Sequence, residues 1–208
     1  MIVQSQPNYL FKIINLGSVG VGKSSLFRKF VYGTFEQSYI SLLGVDIETT
    51  KIHVKDVVVK LILFDTAGQE YFAKLRPTYY KGARAALVVF DVTNEKTFKD
   101  AKAWWKELLA HLPEKIPGIL IGNKIDLMES RTVTSEKGKT LAKELNLPYI
   151  ETSAKTGKNV EQSLYTLVSM MLVEDCFPLP KVLCPYCGSM PYFFKRDQLC
   201  FNCNNRIE

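Results

Sequence analysis

The sequence predicts an α/β protein built on a mainly parallel sheet covered on both faces. Short, almost wholly apolar runs at 9–16 (YLFKIINL), 85–90 (AALVVF) and 118–122 have the composition of strands buried on both sides. Longer amphipathic stretches with helical spacing alternate with them, the pattern of strand–helix–strand units. Only the β-rich runs 45–54 and 57–64 lie as close together as a hairpin, separated by Lys55-Asp56, which adds one antiparallel edge.

In chain order, the strand at 9–16 ends at Gly17. A turn from Gly17 to Ser24 follows, and then a helix from Ser24 to about Tyr32 with apolar Leu26, Phe27, Phe30 and Val31. After the hairpin and the strand at 85–90, the stretch from Thr97 to His111 reads as an amphipathic helix. A strand at 118–122, a helix at 134–145, a strand at 148–151 and a helix at 159–173 complete the series. Two prolines in EDCFPLPKVL, 174–183, break the last helix and mark a linker. The expected domains are therefore 1–173, a linker at 174–183, and a small C-terminal unit at 184–208.

Composition bounds the function. The chain has 208 residues, 47% hydrophobic and 23% charged, enough for one sizeable core without disulfides. The net charge is +6, but the segment from Glu174 onward is balanced and no Arg/Lys block occurs elsewhere. A direct nucleic-acid surface is therefore not expected. No apolar run approaches membrane-spanning length, and the N-terminus lacks the signal-peptide pattern. The expectation is a cytoplasmic protein, with the cysteines in a reducing compartment.

Gly17-Ser18-Val19-Gly20-Val21-Gly22-Lys23-Ser24 fits G-x-x-x-x-G-K-[ST] between a strand and a helix, the context in which that motif forms a phosphate-binding loop (P-loop). Bare backbone N–H groups can point at phosphate oxygens, and the helix dipole adds partial positive charge there. Lys23 is expected to reach the β- and γ-phosphates, the Ser24 hydroxyl to bind Mg²⁺, and Ser25 to join the nucleotide-binding residues. Asn123-Lys124-Ile125-Asp126 follows the fifth strand. The Asp126 carboxylate can accept from N1–H and the exocyclic amine of guanine, a pattern adenine does not offer. Asn123 can hold the loop and the base edge, and the Lys124 stem can lie over the ring. Ser153-Ala154-Lys155, after the next strand, would offer backbone N–H to guanine O6.

With these motifs in order, the chain resembles the Ras superfamily of small GTPases and, within it, the Rab branch, over about residues 9–173. Asp65-Thr66-Ala67-Gly68-Gln69-Glu70 resembles the family's switch II motif. Leu43-Gly44-Val45-Asp46-Ile47, Tyr79-Tyr80-Lys81-Gly82-Ala83 and Leu87-Val88-Val89-Phe90-Asp91-Val92-Thr93 resemble Rab signature segments. The resemblance implies a P-loop NTPase fold with a six-stranded mixed sheet and five helices, and a GTP/GDP switch using Mg²⁺. It further implies that Phe35 packs on guanine, Tyr39 lies over the phosphates, Asp65 holds Mg²⁺ through water, the Gly68 backbone meets the γ-phosphate and Gln69 orients the attacking water. Effectors, exchange factors and activating proteins would read switch I (about 34–47) and switch II (about 66–80), with the protein acting as a monomer in traffic regulation.

Two positions depart from that family. Leu42 stands where switch I carries a Thr that binds Mg²⁺ and the γ-phosphate. Either switch I is less ordered with GTP and hydrolysis is slow, or the Leu42 amide still binds phosphate and water replaces the hydroxyl. Val19 occupies a position that is often Gly in Ras-like members, where a side chain crowds an incoming arginine; Rab-like members tolerate larger residues. If Leu42 blocks turnover, the alternative is a nucleotide-locked scaffold whose C-terminal unit mediates protein interaction.

That unit holds Cys184-Pro185-Tyr186-Cys187 and Cys200-Phe201-Asn202-Cys203, with twelve residues between the pairs. Each pair can form a knuckle, and together four thiolates can complete a closed, structural Zn²⁺ shell. Two disulfides or a rubredoxin-like iron site are the competing readings. There is no C-terminal CaaX and no Gly after Met1, so no lipid anchor is expected, and membrane contact would come through partners. His53 is expected to be an exposed strand residue and His111 to end a helix. Of Trp104 and Trp105, one is expected in the core and the other at the surface.

Overall fold

The computed structural model describes residues 7–33, 45–54, 57–66 and 76–176. The strands are β1 (Tyr9–Leu16), β2 (Val45–Val54), β3 (Val57–Thr66), β4 (Ala85–Asp91), β5 (Gly118–Asn123) and β6 (Tyr149–Thr152). The helices are α1 (Lys23–Tyr32), α2 (Arg76–Tyr80), α3 (Glu95–Ala110), α4 (Ser135–Leu145) and α5 (Val160–Cys176), with a 3₁₀ turn at Met128–Ser130. The strands form one sheet in the order β2-β3-β1-β4-β5-β6. β2 pairs antiparallel with β3, and every other pairing is parallel. The described residues thus form a six-stranded mixed sheet with five helices, the architecture that the resemblance implies.

The continuous apolar runs lie where burial on both faces demands them. Every residue of β4 and of β5 is buried. Ile14, Leu16, Ala86, Val88, Phe90 and Leu120 meet Ala101, Trp105 and Leu108 of α3 in one core cluster. The Asn94 side chain caps α3 by accepting from the Lys96 N–H, and Thr134 caps α4 by accepting from the Lys137 N–H.

Most boundaries follow the sequence reading, and the differences have local causes. β3 runs two residues past the expected end, to Thr66, because β1 and β2 continue to pair with it. α3 starts two residues early, since Asn94 rather than a later residue provides the cap. α2 was not expected; five residues including Pro77 carry no periodicity to read. α5 continues to Cys176, past the expected end at 173.

The chain forms two compact units, residues 1–160 and 161–208. In the second, the described helical residues Leu164, Leu167, Val168, Met171 and Leu172 are buried. The Lys55-Asp56 turn lies outside the described residues. So do Phe35, Tyr39, Leu42, Gly68, Gln69 and the four cysteines Cys184, Cys187, Cys200 and Cys203.

Candidate functional site

The parallel register brings several carboxyl ends of strands to one rim. Asp65 of β3 lies beside Asn15 of β1, Asp91 of β4 beside Asn123 of β5, and Asn123 beside Thr152 of β6. Ligands of parallel sheets bind just outside such ends. Among the described residues, the loops leaving this rim that carry expected site residues are 17–22, 123–127 and 153–159.

Loop 17–22 has a backbone that only glycine accommodates at two points. Gly17 has φ +141°, and a Cβ there would sit 2.2 Å from the Val89 carbonyl oxygen. Gly22 has φ +96°, and its Cβ would sit 2.3 Å from Asn123 Nδ2. Gly22 also occupies the N-cap of α1, with no side-chain cap and no acidic residue in the first turn. α3 and α4 differ: each has a side-chain cap and a glutamate in its first turn. The first N–H groups of α1 thus have no side chain of their own to satisfy them.

Lys23 opens α1 and is almost wholly buried, with 7% of its surface exposed. Its Nζ donates to the carbonyls of Gly17 (2.9 Å) and Ser18 (3.0 Å), so it spans the loop from inside. Burial pulls its ammonium down to about 8, opposed by the Asp65 carboxylate. The Ser24 hydroxyl donates to Asp65 Oδ2, which puts the two expected Mg²⁺ residues in direct contact. Val21 is fully buried, Val19 is 60% exposed, and Gly20 has open space around it.

Asn123 ties this loop to the other two. It is 1% exposed. Its Nδ2 donates to the Val21 carbonyl at 2.8 Å, and its Oδ1 accepts from Thr152 Oγ1 and from the Ala154 N–H, both at 3.1 Å. Within the Ser153-Ala154-Lys155 segment expected to offer N–H to guanine O6, the Ala154 N–H bonds Asn123 in this structure. Asp126 Oδ1 accepts from Ser153 Oγ at 2.6 Å, and Ser153 Oγ accepts from the Thr156 N–H. Lys155 is exposed.

With the rim in view, similarity to known proteins decides what it belongs to. Residues 12–173 match the Ras family. The chain is 42% identical over 160 residues to Ras-related protein RIC1 of Oryza sativa subsp. japonica, covering 77% of this chain and 79% of that protein. It is 42% identical over 162 residues to Ras-related protein SEC4 of Saccharomyces cerevisiae, covering 78% and 75%. It is 41% identical over 165 residues to Ras-related protein Rab-1 of Theileria parva, covering 79% and 75%.

The chain is a Rab-like small GTPase of the Ras family.

Rab GTPases typically use GTP/GDP and Mg²⁺ and work through effectors, exchange factors and activating proteins. Of the residues expected at this GTPase's site, Val19, Gly20, Val21, Gly22, Lys23, Ser24, Ser25, Asp65, Asn123, Lys124, Asp126, Ser153, Ala154 and Lys155 fall on the three loops, on α1 or at the end of β3. One partner was missed by sequence reasoning. Asp91, 6% exposed, takes the Lys124 ammonium on Oδ2 at 2.6 Å, while Oδ1 accepts from the Thr93 N–H and hydroxyl. Lys124 itself sits at φ +71°. The signal was an aspartate closing the apolar run AALVVFD at a strand end.

His53 is exposed on β2, as expected. His111 caps α3, its N–H bonding the Leu108 and Leu109 carbonyls. Trp105 is the core tryptophan and Trp104 is half-buried. Among the described residues there is no His/Cys/Asp/Glu group arranged to hold a metal, and no helix is long and apolar enough to cross a membrane.

Proposed function

We propose that this Rab-like GTPase is a guanine-nucleotide switch acting in membrane traffic, with Lys23, Ser24, Asp65, Asn123, Lys124 and Asp126 as its described nucleotide residues. The observation that carries the reading is α1: an uncapped N-terminus with a buried lysine and no first-turn acid, beside two helices of the same protein that have both cap and acid. Anionic oxygens satisfy such N–H groups and gain from the dipole.

Each residue then has a task. Lys23 brings a charge, held over the loop by two carbonyls, to the β/γ-phosphates. Asp126 accepts from the guanine edge, its carboxylate oriented by Ser153. Lys124 lies over the base, its ammonium fixed by Asp91. Asn123 sets the spacing between the phosphate loop and the base loop. Ser24 and Asp65 are hard oxygen donors in contact, a set that suits Mg²⁺, and these two residues would hold it. The ion would neutralise phosphate charge. Gln69 would orient water, and Leu42 in place of a threonine favours slow hydrolysis. The spacing of Cys184, Cys187, Cys200 and Cys203 supports a structural zinc unit.

The test is equilibrium competition on nucleotide-stripped protein, with labelled GDP displaced by GTP, GDP or ADP in Mg²⁺. GTP and GDP should compete and ADP should not. Displacement by ADP at the same concentrations as GDP would refute the guanine reading.

A further inference from the structure

α3 carries two stripes. Ala101, Trp105 and Leu108 face the core. Asp100, Trp104 and Glu107 form a second stripe at the same helical spacing, displaced by one residue, and it meets two parts of the switch that are far apart in sequence. At one end, Ser18 Oγ donates to Asp100 Oδ2 at 3.0 Å, and the Trp104 Nε1–H lies 3.4 Å from Ser18 Oγ, a longer and weaker contact. At the other end, Arg76 makes a two-pronged pair with Glu107, Nε to Oε1 at 2.7 Å and a terminal nitrogen to Oε2 at 3.0 Å. The Arg76 guanidinium stands 4.6 Å from the centre of the Trp104 ring, and the Tyr80 hydroxyl donates to Glu107 Oε1 at 3.0 Å.

We propose that this stripe is a tie coupling the phosphate loop to α2, with Ser18 and Arg76 as its ends and Trp104 as the shared side chain. The inference rests on the nucleotide reading above. Ser18 is the second residue of the loop that wraps the proposed phosphates. Arg76 opens α2 directly after residues 67–75, which carry Gly68 and Gln69.

The geometry gives the tie its sharpness. The Arg76 side chain is 11% exposed. A forked, part-buried ion pair holds best in one arrangement, so a shift of α2 breaks both charge-assisted bonds and the ring contact together. α2 then has discrete positions rather than a continuum, the condition for passing a change from one site to another. The neighbouring stripe is the buried one; Trp104 packs only partly against the core, and Asp100 and Glu107 face away from it toward Ser18 and Arg76. Arg76, Trp104 and Glu107 are therefore positioning residues for the segment that ends at α2.

The chain has two tryptophans, so Trp105→Phe leaves Trp104 as the sole indole. In that background, exchange of GDP for a non-hydrolysable GTP analogue is expected to change Trp104 emission, and Arg76→Ala and Ser18→Ala are each expected to abolish the change. Should Trp105→Phe not fold, the difference between wild-type and Trp104→Phe spectra reports the same quantity. Arg76→Ala is also expected to alter the ratio of GTP-analogue to GDP affinity by about five-fold or more, the lower range of ordinary coupling between sites. Emission that is blind to nucleotide while both nucleotides bind would overturn the tie alone. An emission change that survives Arg76→Ala would do the same. Failure of wild type to bind either guanine nucleotide would overturn the nucleotide reading and the tie with it.

Discussion

Asn123 is the most exacting place to perturb the rim, because one side chain holds three loops through both amide atoms. Asn123→Ala removes the donor to Val21 O and the acceptor for Thr152 Oγ1 and the Ala154 N–H. Each of these partners is left in a nearly dry site, and each orphaned group costs about 1–3 kcal/mol. Water entering the space left by the amide would recover part of that, so a net loss of about 3–5 kcal/mol is expected. With a urea slope of about 2 kcal/mol/M, the unfolding midpoint should fall by roughly 2 M. The assay is urea unfolding of protein stripped of nucleotide in EDTA, which isolates the clamp from any ligand. The guanine-nucleotide dissociation rate, measured separately, should rise. A stripped-protein midpoint within about 0.3 M of wild type would refute the view that Asn123 holds the loops together before nucleotide arrives.

Other expectations are narrower. Gly17→Ala should cost more than about 3 kcal/mol, because the new Cβ meets a backbone oxygen of buried β4 that cannot retreat. Gly20→Ala should cost only about 1–2 kcal/mol, since its φ is +78° but the space is open; thermal unfolding of both variants checks the contrast. Burial pushes the Glu151 carboxyl up, but hydrogen bonds from Arg131 and Tyr149 outweigh it and hold the carboxyl below its ordinary value. The stability it contributes is present above the unfolded carboxylate value and is lost as pH falls through the folded one. The difference in Tm between wild type and Glu151→Gln should therefore be largest near neutrality and shrink on acidification. Leu42→Thr should raise Mg²⁺ affinity and single-turnover GTP hydrolysis, and unchanged values for both would discard slow hydrolysis through Leu42. Cys200→Ser should lower bound zinc measured by elemental analysis, and full zinc content in the variant would refute a four-thiolate site.

The legible parts of this protein were those where one residue type answers one physical demand. Gly17 and Gly22 stand where a Cβ has no room, and the gap between two glycines and a lysine announces that loop in one dimension. β4 and β5 were legible because strands buried on both faces need unbroken apolar runs. The less legible parts depend on neighbours distant in sequence. Asp91 and Lys124 meet only through the β4–β5 register. Arg76 and Glu107 meet only because α2 is laid against α3. Trp104 could be told from Trp105 only as one of two faces, and which of them lay in the core awaited the packing against Gly118, where a Cβ would sit 2.8 Å from the Trp105 ring. The bond from the Ala154 N–H to Asn123 was unreadable in the same way, since it spans two strands.

The central claim is that the loops at one rim of the sheet select a guanine nucleotide. It is tested most directly by native mass spectrometry of the purified protein, equilibrated with equal GDP and ADP in Mg²⁺. The account predicts one GDP per chain, no ADP, and loss of the GDP in Asp126→Ala. Equal occupancy by the two nucleotides, or GDP retained unchanged in Asp126→Ala, would contradict it.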